Sequence, residues 1–139
     1  MQENLNKCES FLDKHHVLSL ATFCENELSA CNLFYAYDKD TQTFIVASSD
    51  DTIHIQNILI NPNIAGTIVL ESKIISKIQG LQFSGVFELV EKDSLSKLYF
   101  KSFPTARIMK PKLWKIKVNY FKLTDNTLGF GKKIIWRID

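Results

Sequence analysis

Segments with strand-like patterning follow one another along this chain with few helices between them, and that order limits the folds available to it. The clearest segment is Leu113 to Leu123, where apolar and polar residues alternate as in a half-buried strand. A parallel sheet needs a crossover connection, normally a helix, after each strand. Three helical patterns accompany six or seven strands, so the sequence predicts an antiparallel, mainly β fold rather than a doubly wound α/β fold.

The predicted elements form antiparallel hairpins that three helices interrupt. Apolar, β-branched and aromatic runs predict strands at Val17–Phe23, Leu28–Tyr37, Thr43–Ala47, Ile64–Leu70, Leu81–Val90, Leu113–Leu123 and Ile134–Ile138. Helical spacing of apolar residues predicts helices over Glu3–Lys14, around Ile55–Leu59 and from Asp93, as the cap, to Phe103. Short helices between hairpins favour a closed or partly closed β-barrel whose ends the helices cover.

Length and composition predict one globular domain over residues 1–139. Hydrophobic residues make up 45% of the chain, with only 5 Gly and 3 Pro, which excludes disordered and collagen-like chains. Apolar runs such as Ile64–Leu70 end well before the roughly 20 residues that a membrane span needs. No secretory signal pattern opens the chain, and Cys8, Cys24 and Cys31 lack the paired spacing of a metal site. We therefore expect a cytoplasmic protein with reduced thiols, no metal and no membrane partner.

The segment Phe44–His54 is a strand that ends in hydroxyl side chains and runs directly into a helix start. Unpaired N–H groups and the positive end of the helix dipole favour an anion at such a place. Ser48, Ser49 and Thr52 can donate hydrogen bonds to a phosphate, and His54 can add a positive charge when protonated. An ordinary helix cap explains the same residue types, so both interpretations stay open.

Two amides stand inside otherwise apolar or aromatic strands. Asn32 lies in the second predicted strand and Gln82 in the fifth. A buried amide without a partner costs about 1 to 3 kcal/mol, so each side chain needs a hydrogen-bonding group nearby. The edge of a heteroaromatic ligand would supply one, and a surface position or a backbone contact would serve equally well.

Positive charge is concentrated near the carboxyl end. Residues 107–139 contain nine Lys or Arg against two Asp, a net charge of +7 in a chain whose total is +2. Two of the lysines alternate with apolar residues in the predicted strand 113–123 and therefore mark its solvated face. Lys132, Lys133 and Arg137 lie beside a glycine turn, where they attract an anion or protect an edge strand. The small total charge argues against a nucleic-acid partner.

Four segments resemble those of a known family, and the order of the elements agrees with it. These segments are Cys31–Tyr35, Gly80–Gly85, Phe103–Arg107 and Thr124–Trp136. Over nearly the whole chain they are similar to the YhbP-like (UPF0306) family of the pyridoxamine 5′-phosphate oxidase-related FMN-binding split-barrel superfamily. The resemblance implies a six-stranded antiparallel split barrel that forms a homodimer, with two FMN sites in the clefts between subunits.

The resemblance also assigns the phosphate site of that superfamily to positions in this chain. A Tyr-Thr pair and a Ser-Arg-Lys run of the oxidase branch fall on Ala47 and Ser48 and on Thr52–His54. The hydroxyls are present here, whereas the two strong cations of the motif are not. On this interpretation Lys132 or Lys133 of the partner subunit supplies the positive charge.

The implied function is that of an FMN-dependent oxidoreductase acting on a small substrate that the sequence does not identify. Asn32 and Gln82 are then expected at the polar edge of the flavin ring. A flavin- or haem-binding module without turnover is the alternative, and His15, His16 and His54 keep haem open. No nucleophile motif such as G-x-S-x-G occurs, so no catalytic residue is assigned.

Overall fold

The computed structural model describes residues 1–138, which form seven strands and three α-helices. The strands are β1 (Val17–Cys24), β2 (Glu27–Asp38), β3 (Thr43–Ala47), β4 (Asn63–Leu70), β5 (Gln79–Leu89), β6 (Leu113–Asp125) and β7 (Lys133–Arg137). The α-helices are α1 (Gln2–Leu12), α2 (Ile53–Ile60) and α3 (Asp93–Ser102). Short 3₁₀ segments lie at Ile75–Lys77, Pro104–Met109 and Asn126–Leu128. No helix within residues 1–138 combines the length and apolar character needed to cross a bilayer.

Every strand pairing in the sheet is antiparallel, and the sheet closes on itself. The strand order is β3-β2-β1-β4-β5-β6-β7, and β3 also pairs with β6. Strands β1 to β6 therefore form a closed ring, while β7 extends the sheet beyond β6. The prediction of a mainly β, six-stranded antiparallel split barrel is confirmed, with β7 as an additional strand outside the ring.

The barrel interior is filled by alternate side chains of the strands. In β1 every second residue is buried, as a strand with one solvated face requires. Strand β3 lacks this alternation because α3 covers its outer face. Phe44 and Val46 point into the barrel, whereas Ile45 packs outside it with Tyr99 and Leu113. Four aromatic rings surround Phe44 inside the barrel, those of Tyr35, Tyr37, Phe83 and Phe121.

Two element boundaries differ from the predicted ones, the start of α3 and the start of β5. Asp93 is the first residue of α3 rather than its cap, a position where its charge suits the helix dipole. The cap residue is Lys92, whose side chain makes no capping hydrogen bond. Strand β5 begins two residues earlier than predicted, at Gln79, because Gly80 pairs with β4 and β6.

Close approach of backbone occurs at two glycines of the barrel, Gly85 and Gly66. A Cβ on Gly85 would lie 2.3 Å from the carbonyl oxygen of Lys117, at the register shift between β5 and β6. A Cβ on Gly66 would lie 2.5 Å from the carbonyl oxygen of Ser19. Gly80 has open space around it.

Candidate functional site

A cleft of about 370 Å³ opens where β3 ends and the chain turns into α2. Its volume is within the range of small-molecule sites. Strand β2 contributes Asn32 and Phe34, the end of β3 contributes Ser48 and Ser49, and Lys112 comes from the segment before β6. Three residues that the sequence singled out separately, Asn32, Ser48 and Ser49, thus line one cleft.

Hydroxyl groups and one imidazole form a small network at the start of α2. Thr52 is the helix cap: its Oγ1 accepts from the backbone N–H of Ile55 and donates to the carbonyl oxygen of Ser49. His54 Nε2 lies 2.5 Å from Ser48 Oγ and 3.3 Å from Thr52 Oγ1. Because Thr52 donates its only hydroxyl hydrogen to Ser49, the close hydrogen-bonding partner of His54 Nε2 is the Ser48 hydroxyl group.

The imidazole of His54 is a neutral group in this network. The residue is 8% exposed, and burial lowers the pKa of its side chain below the usual 6.5. His54 is therefore uncharged at neutral pH, and its role in the resting protein is to position Ser48. The positive charge that the sequence suggested for His54 requires a lower pH or a bound anion.

Lys112 supplies the cleft with a cation that the sequence analysis did not single out. Its Nζ lies 3.0 Å from Asp50 Oδ2 and 5.1 Å from the centre of the Trp114 ring. The indole N–H of Trp114 donates to the carbonyl oxygen of Ser48 at 3.0 Å. The backbone N–H of Ser48 in turn donates to the carbonyl oxygen of Lys112 at 3.1 Å. Lys112 and Ser48 are thus fixed side by side.

The long-range pairing of β3 with β6 brings Lys112 to this place. Ala47, the last residue of β3, is opposite Leu113, the first residue of β6. Lys112 therefore lies next to Ser48 although 64 positions separate them. The only sequence signal for this contact was the local excess of positive charge near the carboxyl end.

Asn32 and Gln82 occupy one row across the outer face of the sheet. The register places Asn32 opposite Ser19, Ser19 opposite Thr67, and Thr67 opposite Gln82. Three strand spacings separate the two amides, about 14 Å along the sheet. Ser19 Oγ donates to Asn32 Oδ1 at 2.7 Å, so Asn32 has a surface partner as one of the interpretations required.

A second hollow of about 430 Å³ adjoins the cleft along this row. Ser19, Thr67 and Gln82 line it, together with small residues of β1 and β4 such as Ala21 and Ala65. Its surface is mostly apolar. Gln82 therefore does not lie in the cleft with Ser48 but in the neighbouring hollow on the same outer face.

Lys132 is placed at the connection between β6 and β7, away from the residues that line the cleft. Its backbone N–H donates to the carbonyl oxygen of Gly129, and its carbonyl oxygen accepts from the N–H of Asp125. Both Lys132 and Lys133 are exposed. Within one subunit Lys132 thus belongs to a tight surface turn.

The three histidines differ in their access to a ligand. His54 Nε2 is engaged by hydroxyl groups inside the protein. The His15 ring packs 4.4 Å from the ring of Phe11, and burial lowers the pKa of His15. His16 is exposed and stacks on Phe34 at the rim of the cleft, with ring centres 6.0 Å apart. Of the three, His16 is exposed, His15 is half-buried and His54 is buried.

Comparison with other sequences gives full-length relatives. A UPF0306 protein of Klebsiella pneumoniae (strain 342) is 37% identical over 140 residues, covering 99% of this chain and 95% of that protein. The UPF0306 protein YhbP of Escherichia fergusonii is 36% identical over 137 residues, covering 96% of this chain and 93% of that protein. No known family model matches the chain.

Solved structures with the same fold have low sequence identity to this chain. A haem-binding protein from Mycobacterium smegmatis has a TM-score of 0.74 and 19% identity, covering 91% of this chain and 54% of that one. This chain therefore spans about half of that protein. A FAD-binding protein from Mesorhizobium loti has a TM-score of 0.73 and 13% identity, covering 86% and 90% of the two chains. The haem storage protein HutZ from Vibrio cholerae has a TM-score of 0.64 and 16% identity, covering 81% and 88%.

Proposed function

Because the chain belongs to the UPF0306 (YhbP) family and folds as a split barrel, we propose that it binds FMN and acts as a flavin-dependent oxidoreductase on a small substrate. The observation that carries the proposal is the cleft in which Asn32, Ser48 and Ser49 converge at the start of α2. A FAD-binding protein among the structures of the same fold supports a flavin as the ligand.

The donor set of the cleft suits the phosphate of FMN. Ser48 and Ser49 line the cleft and offer hydroxyl groups, and Lys112 offers an ammonium group. His54 fixes the position of the Ser48 hydroxyl group through its Nε2 contact. We expect the flavin ring to lie along the row that joins Asn32 to Gln82, with its polar edge at Asn32, which lines the same cleft as Ser48.

The bound flavin would supply the hydride chemistry, and the protein would supply orientation and polarity around the ring. Asn32 is held by its hydrogen bond from Ser19, so its amide nitrogen remains available to a ligand. The apolar hollow beside it offers apolar contacts to the rest of the ring.

We also propose that two copies of the chain pair through this outer face and complete the ligand site. The face exposes large apolar side chains, among them Phe34, which is 55% exposed, and Val69, which is 63% exposed. Contiguous apolar surface of this kind is typical of interaction sites. Sedimentation at several protein concentrations tests the proposal: we expect a dimer, and a monomer at all concentrations would contradict it.

Three thiols without disulfide partners support a cytoplasmic location for this flavoprotein. Cys8, Cys24 and Cys31 are all free. Disulfides are rare in the reducing cytosol, so unpaired cysteines fit that compartment.

Titration with FMN and with riboflavin tests the ligand assignment. We expect FMN fluorescence to be quenched on binding, and Ser48→Ala to weaken FMN binding about tenfold while leaving riboflavin binding unchanged, because riboflavin lacks the phosphate. Ser76→Ala, at an exposed position outside the cleft, is the matched control. A protein that binds neither flavin would refute the assignment.

A haem-binding module without turnover is the second candidate. The observation that favours it is His16, which is exposed at the rim of the cleft and stacked on Phe34. Titration with haemin separates the two functions: a Soret shift that His16→Ala abolishes, in a protein that ignores FMN, would establish haem instead. Oxidation of a nicotinamide donor by the FMN-loaded protein would establish turnover.

A further inference from the structure

We propose that Lys112 is the residue that recognises the anionic end of the ligand, and that Asp50 is a resting counter-ion that the ligand displaces. This inference rests on the proposed function, because it names the cation of the same cleft. It replaces the expectation that Lys132 of the partner subunit provides the main positive charge. It also gives Asp50 a function: the carboxylate competes with the ligand for Lys112.

The position of Lys112 is fixed relative to the proposed ligand donors. Its backbone oxygen accepts from the N–H of Ser48, and its ammonium group lies over the Trp114 ring. The same indole donates to the carbonyl oxygen of Ser48. An ammonium group held over an aromatic ring keeps its charge at a defined place. A ligand oxygen bound by Ser48 is therefore presented to Lys112 as well.

The Lys112–Asp50 ion pair is of the kind that exchanges partners easily. The side chains are 44% and 59% exposed, so neither charge is buried when the pair separates. Exposed ion pairs contribute little net free energy, because water solvates both separated charges. A phosphate monoester offers Lys112 a doubly charged partner instead of a singly charged one, which favours the exchange.

The backbone of Asp50 stays beside the cleft when the pair separates, because Asp50 follows Ser49 of the cleft lining in the chain. The Gln56 side chain donates to the backbone carbonyl oxygen of Asp50 at 2.7 Å and holds this part of the connection in place. The carboxylate of Asp50 therefore remains within reach of Lys112 and competes with the ligand for it. Lys112 is the charged side chain among the residues that line the cleft, and Asp50 is its ion-pair partner. Their balance sets the affinity for FMN relative to riboflavin.

Opposite effects are expected from neutralising the two partners. Lys112→Gln removes the cation, and we expect FMN binding to weaken about tenfold to a hundredfold. Asp50→Asn removes the competitor, and we expect FMN binding to strengthen about threefold to tenfold. Riboflavin binding changes in neither variant, because that ligand carries no phosphate.

The test is a set of FMN and riboflavin titrations at low and high salt, followed by flavin fluorescence. Lys115→Gln is the matched control, since Lys115 forms its ion pair with Glu88 outside the cleft. Lys132→Gln tests the competing source of charge. Circular dichroism and thermal melting of each variant confirm that the fold is retained.

The results decide between the two lysines. Weaker FMN binding by Lys112→Gln together with stronger binding by Asp50→Asn supports the inference. If Lys132→Gln loses FMN binding and Lys112→Gln binds FMN unchanged, the inference is overturned and the flavin assignment stands. The same holds if Asp50→Asn binds FMN with unchanged or lower affinity. If the unaltered protein binds riboflavin and FMN with equal affinity, no cation recognises the phosphate. The inference then fails, while the flavin assignment stands. If it binds neither, the proposed function fails first.

Discussion

Replacing Phe44 with alanine tests whether closure of the barrel through β3 stabilises the fold. Phe44 is completely buried, and its ring centre lies 4.8 to 6.3 Å from four other aromatic rings. A Phe to Ala change in a core costs about 3 to 5 kcal/mol in total, and the four aromatic contacts place Phe44 in the upper part of that range. We therefore expect a loss of about 4 to 5 kcal/mol, a large part of the 5 to 15 kcal/mol typical of a domain.

Urea unfolding followed by circular dichroism measures this loss as a shift in midpoint at constant slope. Phe130→Ala is the control: the same side chain is removed where it is 87% exposed, and we expect a change below about 0.5 kcal/mol. Phe44→Leu preserves most of the volume and should remain folded if the alanine variant does not. A loss below about 1.5 kcal/mol in Phe44→Ala would show that β3 does not close a packed barrel.

Three further predictions concern a glycine, a histidine and a cysteine. Gly66→Ala places a methyl group against the backbone of β1 and should cost about 1 to 3 kcal/mol in urea unfolding, whereas Gly80→Ala, with free space around it, should be neutral. The pKa of His54 is lower in the folded protein than in the unfolded chain, so below about pH 6.5 the unfolded chain binds more protons and stability falls as the pH decreases. In His54→Gln this decline should be shallower, and an unaltered pH profile would contradict the neutral assignment. Burial raises the pKa of the Cys8 thiol to about 12, which suppresses its reactive thiolate form. An aromatic disulfide reagent should therefore label the half-buried Cys31 first and Cys8 only after unfolding. Peptide mass mapping of the labelled protein measures this order.

Local patterns predicted most of the strands because the alternation of apolar and polar residues directly records which face is buried. The run from Leu113 to Leu123 became β6, extended to Asp125. The pattern fails for β3, where residues 43–46 are all buried. An adjacent helix covers the outer face of that strand, and a strand's own sequence does not show which helix will do so.

The candidate site was only partly predictable from the sequence for a related reason. Ser48, Ser49 and Thr52 were found because hydroxyl groups at a helix start are a local signal. Lys112 was missed because its place beside Ser48 depends on the pairing of β3 with β6, which no local pattern contains. The row that joins Asn32 to Gln82 likewise depends on the registers of three strand pairs.

The indole of Trp114 gives the protein an internal optical probe of its cleft. This ring donates to Ser48 and lies beneath the ammonium group of Lys112, so any event that rearranges either residue changes its surroundings. The chain has one other tryptophan, Trp136, which packs against Phe121 in the barrel. A Trp136→Phe protein would therefore emit from a single reporter at the cleft, and ligands without colour of their own could be screened without attaching a dye.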